Sequence, residues 1–430
     1  MLKDDIVNSL STQCADPAID PSIPSRLSLV SAVTLLLLAT VAMMADILSD
    51  KHFVGADFKS FYYASRAAIN GSNFYDPQVL KKLADADHLN GAYPFLYPPV
   101  LPHALAPLAR LSPAEAQTLW SIANCMAFCV ATVISIVGIR RRQIMKGRSP
   151  TSWPLAVGIA LCLAFILNLH NVVAMGQINI FILMFVVAGI MLPGEQGHAA
   201  SIGMALAILI KATPVFLLVV CFAERRLRFV RRTCFWIMVL IAASLGLGAG
   251  PSWVSFLKWL PSMSYGSTVP GLFPANIVYN ISIAGFFARL SNSPGTTRIL
   301  SIITLALLSV PVLWKAKARR NAGVAGRMLS ACVILVVGAP FAYIHHVIFL
   351  LPVLLWCLTE REAISGMRVI LYLALGIIAV VDFPVLYDRF HFNPETARWI
   401  TSINLYALLG LYGLGVSASD PTKNLAAKRA

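Results

Sequence analysis

The chain has 430 residues, of which 58% are hydrophobic and only 12% are charged, and its formal net charge is +15. An average soluble domain carries about twice that share of charged residues, so the composition excludes a water-soluble fold. The positive charge falls in short clusters between apolar segments, which is typical of membrane topology and argues against nucleic-acid binding. The sequence therefore predicts an all-α, polytopic integral membrane protein.

The two ends of the chain differ from its apolar middle. The first 26 residues include four aspartates ahead of the first apolar run, which is not the charge order of a cleavable signal peptide. We predict a cytoplasmic amino-terminal tail at 1–26, a polytopic membrane domain at 27–416 and a cytoplasmic carboxyl-terminal tail at 417–430. The eight cysteines lie mostly in apolar segments and show neither a disulfide framework nor a metal-ligand spacing.

Apolar segments of helical length recur through the membrane domain. They lie near 27–48, 114–139, 152–170, 177–192, 233–250, 296–314, 328–344, 347–358, 367–387 and 398–416. With the two short helices discussed next, the sequence predicts about twelve membrane helices, since roughly 20 apolar residues cross a bilayer as a helix.

Three clusters of Lys and Arg, at 140–148, 225–232 and 315–320, constrain the topology because such clusters stay in the cytoplasm. A single span at 199–222 would carry the second cluster to the outside. The segment Lys211-Ala212-Thr213-Pro214 resolves the conflict, because a proline and a buried cation both disfavour an uninterrupted helix. We predict a re-entrant hairpin with short helices at 199–210 and 215–222.

This topology leaves two long outer loops, at about 49–113 and 251–295, both rich in aromatic residues, Pro and Gly. Loops held by a rigid scaffold carry function more often than the scaffold does. In the first loop, Asp57 opens a helical segment in which Phe58, Phe61 and Tyr62 share one face, as in a helix that lies in the membrane interface. Asp57 is interpreted either as the N-cap of that helix or as a general base at the water–lipid boundary.

Several polar side chains lie at membrane depth, where they need partners. Gln177 either satisfies neighbouring backbone or contacts a ligand, and Lys211 either extends toward the interface or binds an anionic ligand. His345 and His346 are either interfacial side chains or substrate contacts.

Two further sites lie in or beside the outer loops. Asn280 either makes a turn or contacts substrate. The Tyr97-Pro98-Pro99 segment is forced into an extended backbone and has either a purely structural role or a role in binding.

Taken in chain order, these segments resemble glycosyltransferase family 87, the bacterial α-mannosyltransferase-like enzymes with the GT-C membrane fold. The matching elements are Asp57-Phe58 with Tyr62 and Ala64, Gly71 with Tyr75-Asp76-Pro77, Tyr97-Pro98-Pro99 with Ala106-Pro107-Leu108, Trp120, Gly176-Gln177, Lys211-Ala212-Thr213-Pro214, Asn280-Ile281-Ser282 and His346. The resemblance runs through most of the chain.

The resemblance implies an inverting glycosyltransferase in the bacterial inner membrane, with its active site on the periplasmic or extracellular side. Such an enzyme moves a sugar, mannose-like here, from a polyprenyl-phosphate donor to a lipid-linked or glycan acceptor. Asp57 matches the catalytic base of these enzymes. A polyprenyl phosphate is already a good leaving group, so one carboxylate and a few cations suffice, and we expect no metal and no other cofactor.

The same resemblance assigns roles to the remaining polar groups. Lys211, His346 and His345 are expected to bind the donor phosphate. The residues expected to contact substrate are Tyr62, Tyr97, Gln177 and Asn280.

Two other functions stay open at this stage. A transporter or flippase of a lipid-linked saccharide is also polytopic and also places charges at the membrane midplane, although the sequence contains no evident internal repeat. A polysaccharide polymerase or ligase differs in substrate more than in physical organisation.

Overall fold

The structure is a computed structural model that describes residues 26–47, 54–191, 197–269, 271–291, 293–318, 324–359, 366–382, 389, 393 and 398–418. The predicted tails at 1–26 and 417–430 fall outside these residues, apart from their inner boundaries. The boundaries of the predicted domains therefore stay predictions.

Every regular element in the described part of the chain is a helix. In chain order the helices are α1 Arg26–Ile47, α2 Ala56–Ile69, α3 Pro77–Ala86, α4 Val100–Ala104, α5 Pro113–Met145, α6 Trp153–Ile166, α7 Leu169–Ala174, α8 Asn179–Met191, α9 His198–Ile210, α10 Val215–Ala223, α11 Leu227–Gly246, α12 Gly250–Trp259, α13 Ile283–Leu290, α14 Pro294–Lys317, α15 Val324–Val337, α16 Leu351–Thr359, α17 Gly366–Val380 and α18 Ile403–Ala418. Short 3₁₀ helices occur at Leu108–Arg110, Leu260–Met263 and Ile344–Leu350. The predicted all-α class is confirmed.

Five of the helical segments are long and apolar enough to cross a membrane: Leu27–Ala45, Pro113–Met145, Leu227–Gly246, Pro294–Lys317 and Arg398–Ser417. Shorter apolar helices lie between them, at Trp153–Ile166, Asn179–Met191, His198–Ile210, Val324–Val337, Ile344–Thr359 and Gly366–Val380. These helices confirm a polytopic membrane protein, while the predicted number of about twelve membrane helices stays a prediction.

The longest helix, α5, shows why the local sequence folds as it does. Ser112 is its N-cap, and Glu115 completes a capping box in which the Ser112 N–H donates to the Glu115 carboxylate at 3.0 Å. Its 33 residues extend for about 50 Å at 1.5 Å per residue, which is longer than the roughly 30 Å hydrocarbon core of a bilayer. The helix is therefore long enough to cross the apolar layer and extend beyond it.

The predicted break between α9 and α10 is present. Lys211 ends α9 in an extended conformation, with φ −148° and ψ 125°, and Pro214 is the N-cap of α10. The Lys211 side chain points to the beginning of α8, where its Nζ donates to Asn179 Oδ1 at 3.2 Å. The chain therefore turns at this cation rather than continuing as one helix.

Contacts also fix the chain before α9 and after α10. Before α9, the Ile190 carbonyl accepts a hydrogen bond from Arg142 of the first basic cluster at 3.1 Å. After α10, Glu224 forms a buried ion pair with Arg327, near the start of α15, at 2.7 Å. The two short helices and the break between them are therefore present, while the re-entrant topology stays a prediction.

The aromatic face of α2 lies inside the protein instead of in the membrane interface. Phe58 and Phe61 are each 1% exposed and Tyr62 is 3% exposed. Phe58 packs on Trp120 of α5, with ring centroids 5.9 Å apart. The prediction of an interfacial stripe is wrong because the amphipathic face finds protein partners on α5 and in the rest of the first outer loop.

The fold generates a prediction about topology. Ser72 in the first predicted outer loop and Arg228 in the second basic cluster are both exposed. We expect Ser72→Cys to react with a membrane-impermeant maleimide added to intact cells, and Arg228→Cys to react only after permeabilisation.

The chain without added cysteines provides the background for this labelling. Reaction of Arg228→Cys in intact cells at the rate of Ser72→Cys would contradict the re-entrant hairpin.

Candidate active site

The site begins where the start of α2 meets the loop that precedes α8. The backbone N–H groups of Asp57 and Phe58 both donate to the Met175 carbonyl at 3.2 Å. The Gly55 N–H donates to the Gln117 side chain at 3.1 Å, and Trp120 Nε1 donates to the Gly176 carbonyl at 2.8 Å. These bonds hold the first turn of α2 against α5 and the 174–177 loop.

Two glycines permit this approach. A Cβ on Gly55 would lie 2.5 Å from the Ala174 carbonyl oxygen. Gly176 has a φ of +71°, and a Cβ there would overlap the Cβ of Phe58. The backbone conformation and the close packing therefore both require glycine at Gly176.

Asp57 is not the N-cap of α2. Gly55 occupies that position without a side-chain cap, and Asp57 lies in the first turn. Its carboxylate accepts a hydrogen bond from Gln177 Nε2 across the site. The cap interpretation is therefore wrong, because the side chain bonds to another segment of the protein and not to its own helix.

Two amides connect the carboxylate to the cation. Gln177 Oε1 accepts from Asn179 Nδ2 at 3.2 Å, and Asn179 Oδ1 accepts from Lys211 Nζ at 3.2 Å. An ammonium only donates, so it orients the Asn179 amide, which in turn orients the Gln177 amide with its NH₂ toward Asp57. The series Asp57–Gln177–Asn179–Lys211 is therefore a polarised chain of side chains, anionic at one end and cationic at the other.

His346 completes the cationic end. Its Nε2 contacts Lys211 Nζ, and its Nδ1 lies 3.1 Å from the Tyr343 carbonyl oxygen. In one tautomer Nδ1 accepts from the Tyr343 N–H at 3.0 Å, and in the other it donates to the Tyr343 carbonyl. With Lys211 as an ammonium, Nε2 must accept, which corresponds to the second tautomer. In this arrangement His346 positions Lys211. The ring of His345 packs beside that of His346, with centroids 4.6 Å apart and the two planes tilted by 31°.

A cavity of about 280 Å³ opens onto these groups. Its polar lining consists of Asp57, Ser60, Tyr93, Tyr97, Gln177, Lys211, Thr213, Tyr343, His345 and His346. The apolar lining includes Phe61, Leu96, Phe256, Leu260, Met263, Leu272 and Phe341. Of the predicted site residues, the cavity brings together Asp57, Lys211, His345, His346, Tyr97 and Gln177.

Tyr62 and Asn280 lie outside the cavity. The Tyr62 hydroxyl donates to the Leu111 carbonyl at 2.6 Å, and its ring is buried in the outer loop. Asn280 donates to the Pro340 carbonyl at 3.2 Å and accepts from the Ala342 N–H at 3.1 Å. Both side chains bond to protein backbone and neither lines the cavity, so their substrate contacts stay predictions.

The environment of Asp57 changes its acidity. It lies on α2, outside the membrane-spanning helices, and burial raises the pKa of its carboxyl to about 6. The hydrogen bond from Gln177 and the charge of Lys211 oppose this rise. A carboxylate with a pKa near neutrality is ionised at pH 7 and still basic enough to accept a proton from a hydroxyl.

The other carboxylates in the described part of the first outer loop, from residue 54 onward, have local partners. Asp76 caps α3 by accepting from the Gln78 N–H at 2.9 Å. Asp85 pairs with Lys81, and Asp87 pairs with Arg66, each at 2.5 Å.

Asp85 and Asp87 form an Asp-x-Asp pair in sequence, a pattern that can bind a metal ion, but both side chains are engaged in these ion pairs. No three His, Cys, Asp or Glu side chains within the described ranges are grouped to hold a metal ion, and metal independence stays a prediction.

Five polar residues of the site were not predicted from the sequence. Asn179 is 0% exposed and lies between Gln177 and Lys211, while Ser60, Tyr93, Thr213 and Tyr343 line the cavity. Asn179 and Thr213 belong to segments that the sequence singled out. The signal for Asn179 was its position two residues after Gln177 at membrane depth, where a polar side chain needs partners.

The glycine contact generates a prediction. Gly176→Ala forces a Cβ into Phe58 at a positive φ, and we expect it to lower the free energy of unfolding by about 2 kcal/mol or more. Thermal unfolding of the purified protein measures this loss. Gly158→Ala is the matched control, because a Cβ on Gly158 meets no atom within 4 Å. Equal melting temperatures for the two variants would contradict the proposed contact.

The amino-acid sequence of the chain matches a known protein family. The model for glycosyltransferase family 87 matches residues 95–340, more than half of the chain. A polyprenol-phosphate-mannose-dependent α-(1-2)-phosphatidylinositol mannoside mannosyltransferase of Mycolicibacterium smegmatis is 25% identical over 69% of this chain and 68% of the relative. A polyprenol-phosphate-mannose-dependent α-(1-2)-phosphatidylinositol pentamannoside mannosyltransferase of Mycobacterium tuberculosis is 22% identical over 67% of each chain.

The crystal structure of ArnT from Cupriavidus metallidurans bound to undecaprenyl phosphate aligns with 90% of this chain and 77% of its own, at 13% identity and a TM-score of 0.43. A TM-score at this level supports no conclusion, so the GT-C architecture stays a prediction. The family match includes the segments that carry Tyr97, Gln177 and Lys211 and ends just before His345. The chain belongs to glycosyltransferase family 87 and is a membrane glycosyltransferase.

Proposed function

We propose that this glycosyltransferase moves a mannose-like sugar from a polyprenyl phosphate to a hydroxyl of a lipid-linked or glycan acceptor, with inversion at the anomeric carbon. One observation carries the proposal. The Asp57 carboxylate and the Lys211 ammonium face one cavity and are joined by the amides of Gln177 and Asn179. A displacement of phosphate by a hydroxyl needs these two charges.

In the proposed reaction, Asp57 accepts the proton of the acceptor hydroxyl. The oxygen then attacks the anomeric carbon on the face opposite the phosphate, as inversion requires. Gln177 keeps the carboxylate oriented, and burial keeps it basic.

Lys211 stabilises the negative charge that the departing phosphate gains as the sugar–oxygen bond breaks. Its ammonium is held beside His346 and Asn179, and it lies 5.9 Å from the centre of the Tyr97 ring. Because the ammonium is already in position before the reaction, the site needs little rearrangement, and therefore little free energy, to stabilise the developing charge. His345 and His346 support this end of the site.

The apolar lining suits a lipid-linked donor. Phe256 lies in α12 and Leu260 directly follows this helix, and both residues line the cavity. None of the residues of α12 is buried. Their exposed neighbours Val254 and Leu257 are 53% and 61% exposed. A prenyl chain resting on this wall would place its phosphate toward Lys211. The names of the two mycobacterial relatives specify a polyprenol-phosphate-mannose donor, and this supports both the carrier and the sugar.

The proposed location is the bacterial inner membrane, with the cavity on the periplasmic or extracellular side. The three basic clusters support it, since such clusters belong on the cytoplasmic side. The same relatives act on phosphatidylinositol mannosides, which supports a lipid-linked acceptor.

The two alternative functions make different use of this cavity. A flippase would need no base, and membership in a glycosyltransferase family disfavours it. A polymerase or ligase would require a polymeric donor. Transfer of one sugar from a synthetic polyprenyl phosphate by the purified protein, with mass analysis of the product, separates all three.

The first functional prediction concerns Asp57→Asn. Asparagine has the same shape and can accept the Gln177 hydrogen bond, so the variant should fold, insert and bind the lipid donor. Because an amide cannot take a proton from the acceptor, we expect turnover to fall by about 10² to 10⁴.

Asp76→Asn is the matched control, because Asp76 is an N-cap away from the cavity and asparagine caps equally well. Turnover of Asp57→Asn within a few-fold of the unmodified protein would remove the base from the mechanism. Asp76, Asp85 and Asp87 of the same loop do not line the cavity and would not replace it.

The second functional prediction concerns pH. Asp57 acts as a base only when ionised, so kcat/KM should rise with pH through a pKa of about 6. Gln177→Leu removes a hydrogen bond that favours the ionised form, so the pKa of Asp57 rises. The acid limb should therefore move to higher pH, by about one unit.

The same glutamine-to-leucine change at the exposed Gln78 provides the control and should leave the profile in place. An unchanged acid limb in Gln177→Leu would show that the limb does not report Asp57.

A further inference from the structure

Two buried hydroxyls of the cavity have no role in the site as described so far. Thr213 Oγ1 and Tyr343 OH are shielded from solvent and have no hydrogen-bond partner in the described part of the chain. Both residues line the cavity. A buried hydroxyl without a partner costs free energy, so its presence in a binding cavity indicates a partner supplied by the ligand.

The two hydroxyls come from the backbone segments that hold the cation. Thr213 lies in the helix break, two residues after Lys211. Tyr343 is the N-cap of the Ile344–Leu350 helix, and its carbonyl is the oxygen that holds the His346 ring. The Tyr343 ring also packs beside that of His345, with centroids 5.5 Å apart. Both residues therefore belong to segments that flank Lys211 and His346, and both line the cavity, where the Tyr343 phenol also lies within electrostatic range of Asp57.

The chemistry of these groups favours a phosphate. An ammonium and two hydroxyls are all able to donate, and the non-bridging oxygens of a phosphate ester accept several hydrogen bonds at once. We propose that Thr213 and Tyr343 donate hydrogen bonds to the phosphate of the polyprenyl-phosphate donor, next to Lys211. This inference rests on the proposed function and assigns two further binding residues to it.

The same protein contains unpaired hydroxyls that serve as a comparison. Thr132 Oγ1 and Thr233 Oγ1 are also buried without a partner, and neither residue lines the cavity. Both residues are 0% exposed. If the Thr213 hydroxyl were unpaired only because of the way the protein packs, its removal would have the same effect on donor binding as removal of the Thr132 hydroxyl.

The experiment uses the full chain in lipid nanodiscs and the variants Thr213→Val, Tyr343→Phe and Thr132→Val. Each removes one hydroxyl with little change in shape. The Kd for polyprenyl phosphate is measured by competition with a labelled polyprenyl-phosphate sugar, and polyprenol and inorganic phosphate are tested as separate competitors. Melting temperature is recorded for each protein.

We expect Thr213→Val and Tyr343→Phe to weaken polyprenyl-phosphate binding by about tenfold each, while polyprenol competes as before. Melting temperatures should stay equal or rise, because no protein hydrogen bond is lost. Thr132→Val should keep the original Kd. Parallel weakening against inorganic phosphate assigns the contact to the phosphate group itself.

Unchanged Kd values in both cavity variants, or equal weakening for polyprenol, would overturn the inference while leaving the proposed function in place. Failure of the unmodified protein to bind polyprenyl phosphate would overturn both. A variant with a lowered melting temperature would show that its hydroxyl stabilises the fold, and this would also overturn its assignment to the ligand.

Discussion

The lysine ammonium at the break between α9 and α10 is the constraint on which the rest of the site depends. A cation at membrane depth is costly unless acceptors surround it, and here Asn179 and His346 supply them. Pro214 and the extended backbone of Lys211 end α9 so that the side chain can reach these acceptors. The segment between α9 and α10 therefore lines the cavity instead of continuing as a helix.

The carboxylate is positioned by backbone rather than by its own side chain. The start of α2 is bonded to Met175 and packed on Gly176, so Asp57 cannot shift relative to Gln177. The two amides then transmit the orientation set by the ammonium to the carboxylate, because each amide has only one orientation that satisfies both neighbours. Base and cation are thus parts of one network, although they come from segments more than 150 residues apart in sequence.

The lining of the cavity divides by chemistry. Asp57, Gln177 and Lys211 form its polar side, and Phe256 and Leu260 belong to its apolar side. A donor with a charged head and a hydrocarbon chain needs this division, since its phosphate must exchange water for fixed donors while its chain stays in an apolar environment. In the proposed function the helix break and the second outer loop therefore contribute to the same substrate from opposite sides.

The sequence by itself determined the membrane class, the break at Lys211–Pro214 and the candidates Asp57, Gln177, Lys211, His345 and His346, because hydrophobicity, proline and buried charge act over a few residues. Only the tertiary structure decided which polar groups share the cavity. Tyr62 and Asn280 looked like site residues but bond to backbone, and Asn179, Thr213 and Tyr343 looked ordinary but complete the site. It also decided that Asp57 is no cap. The physical reason is that a side chain's partner comes from distant segments brought together by packing, which no local pattern encodes.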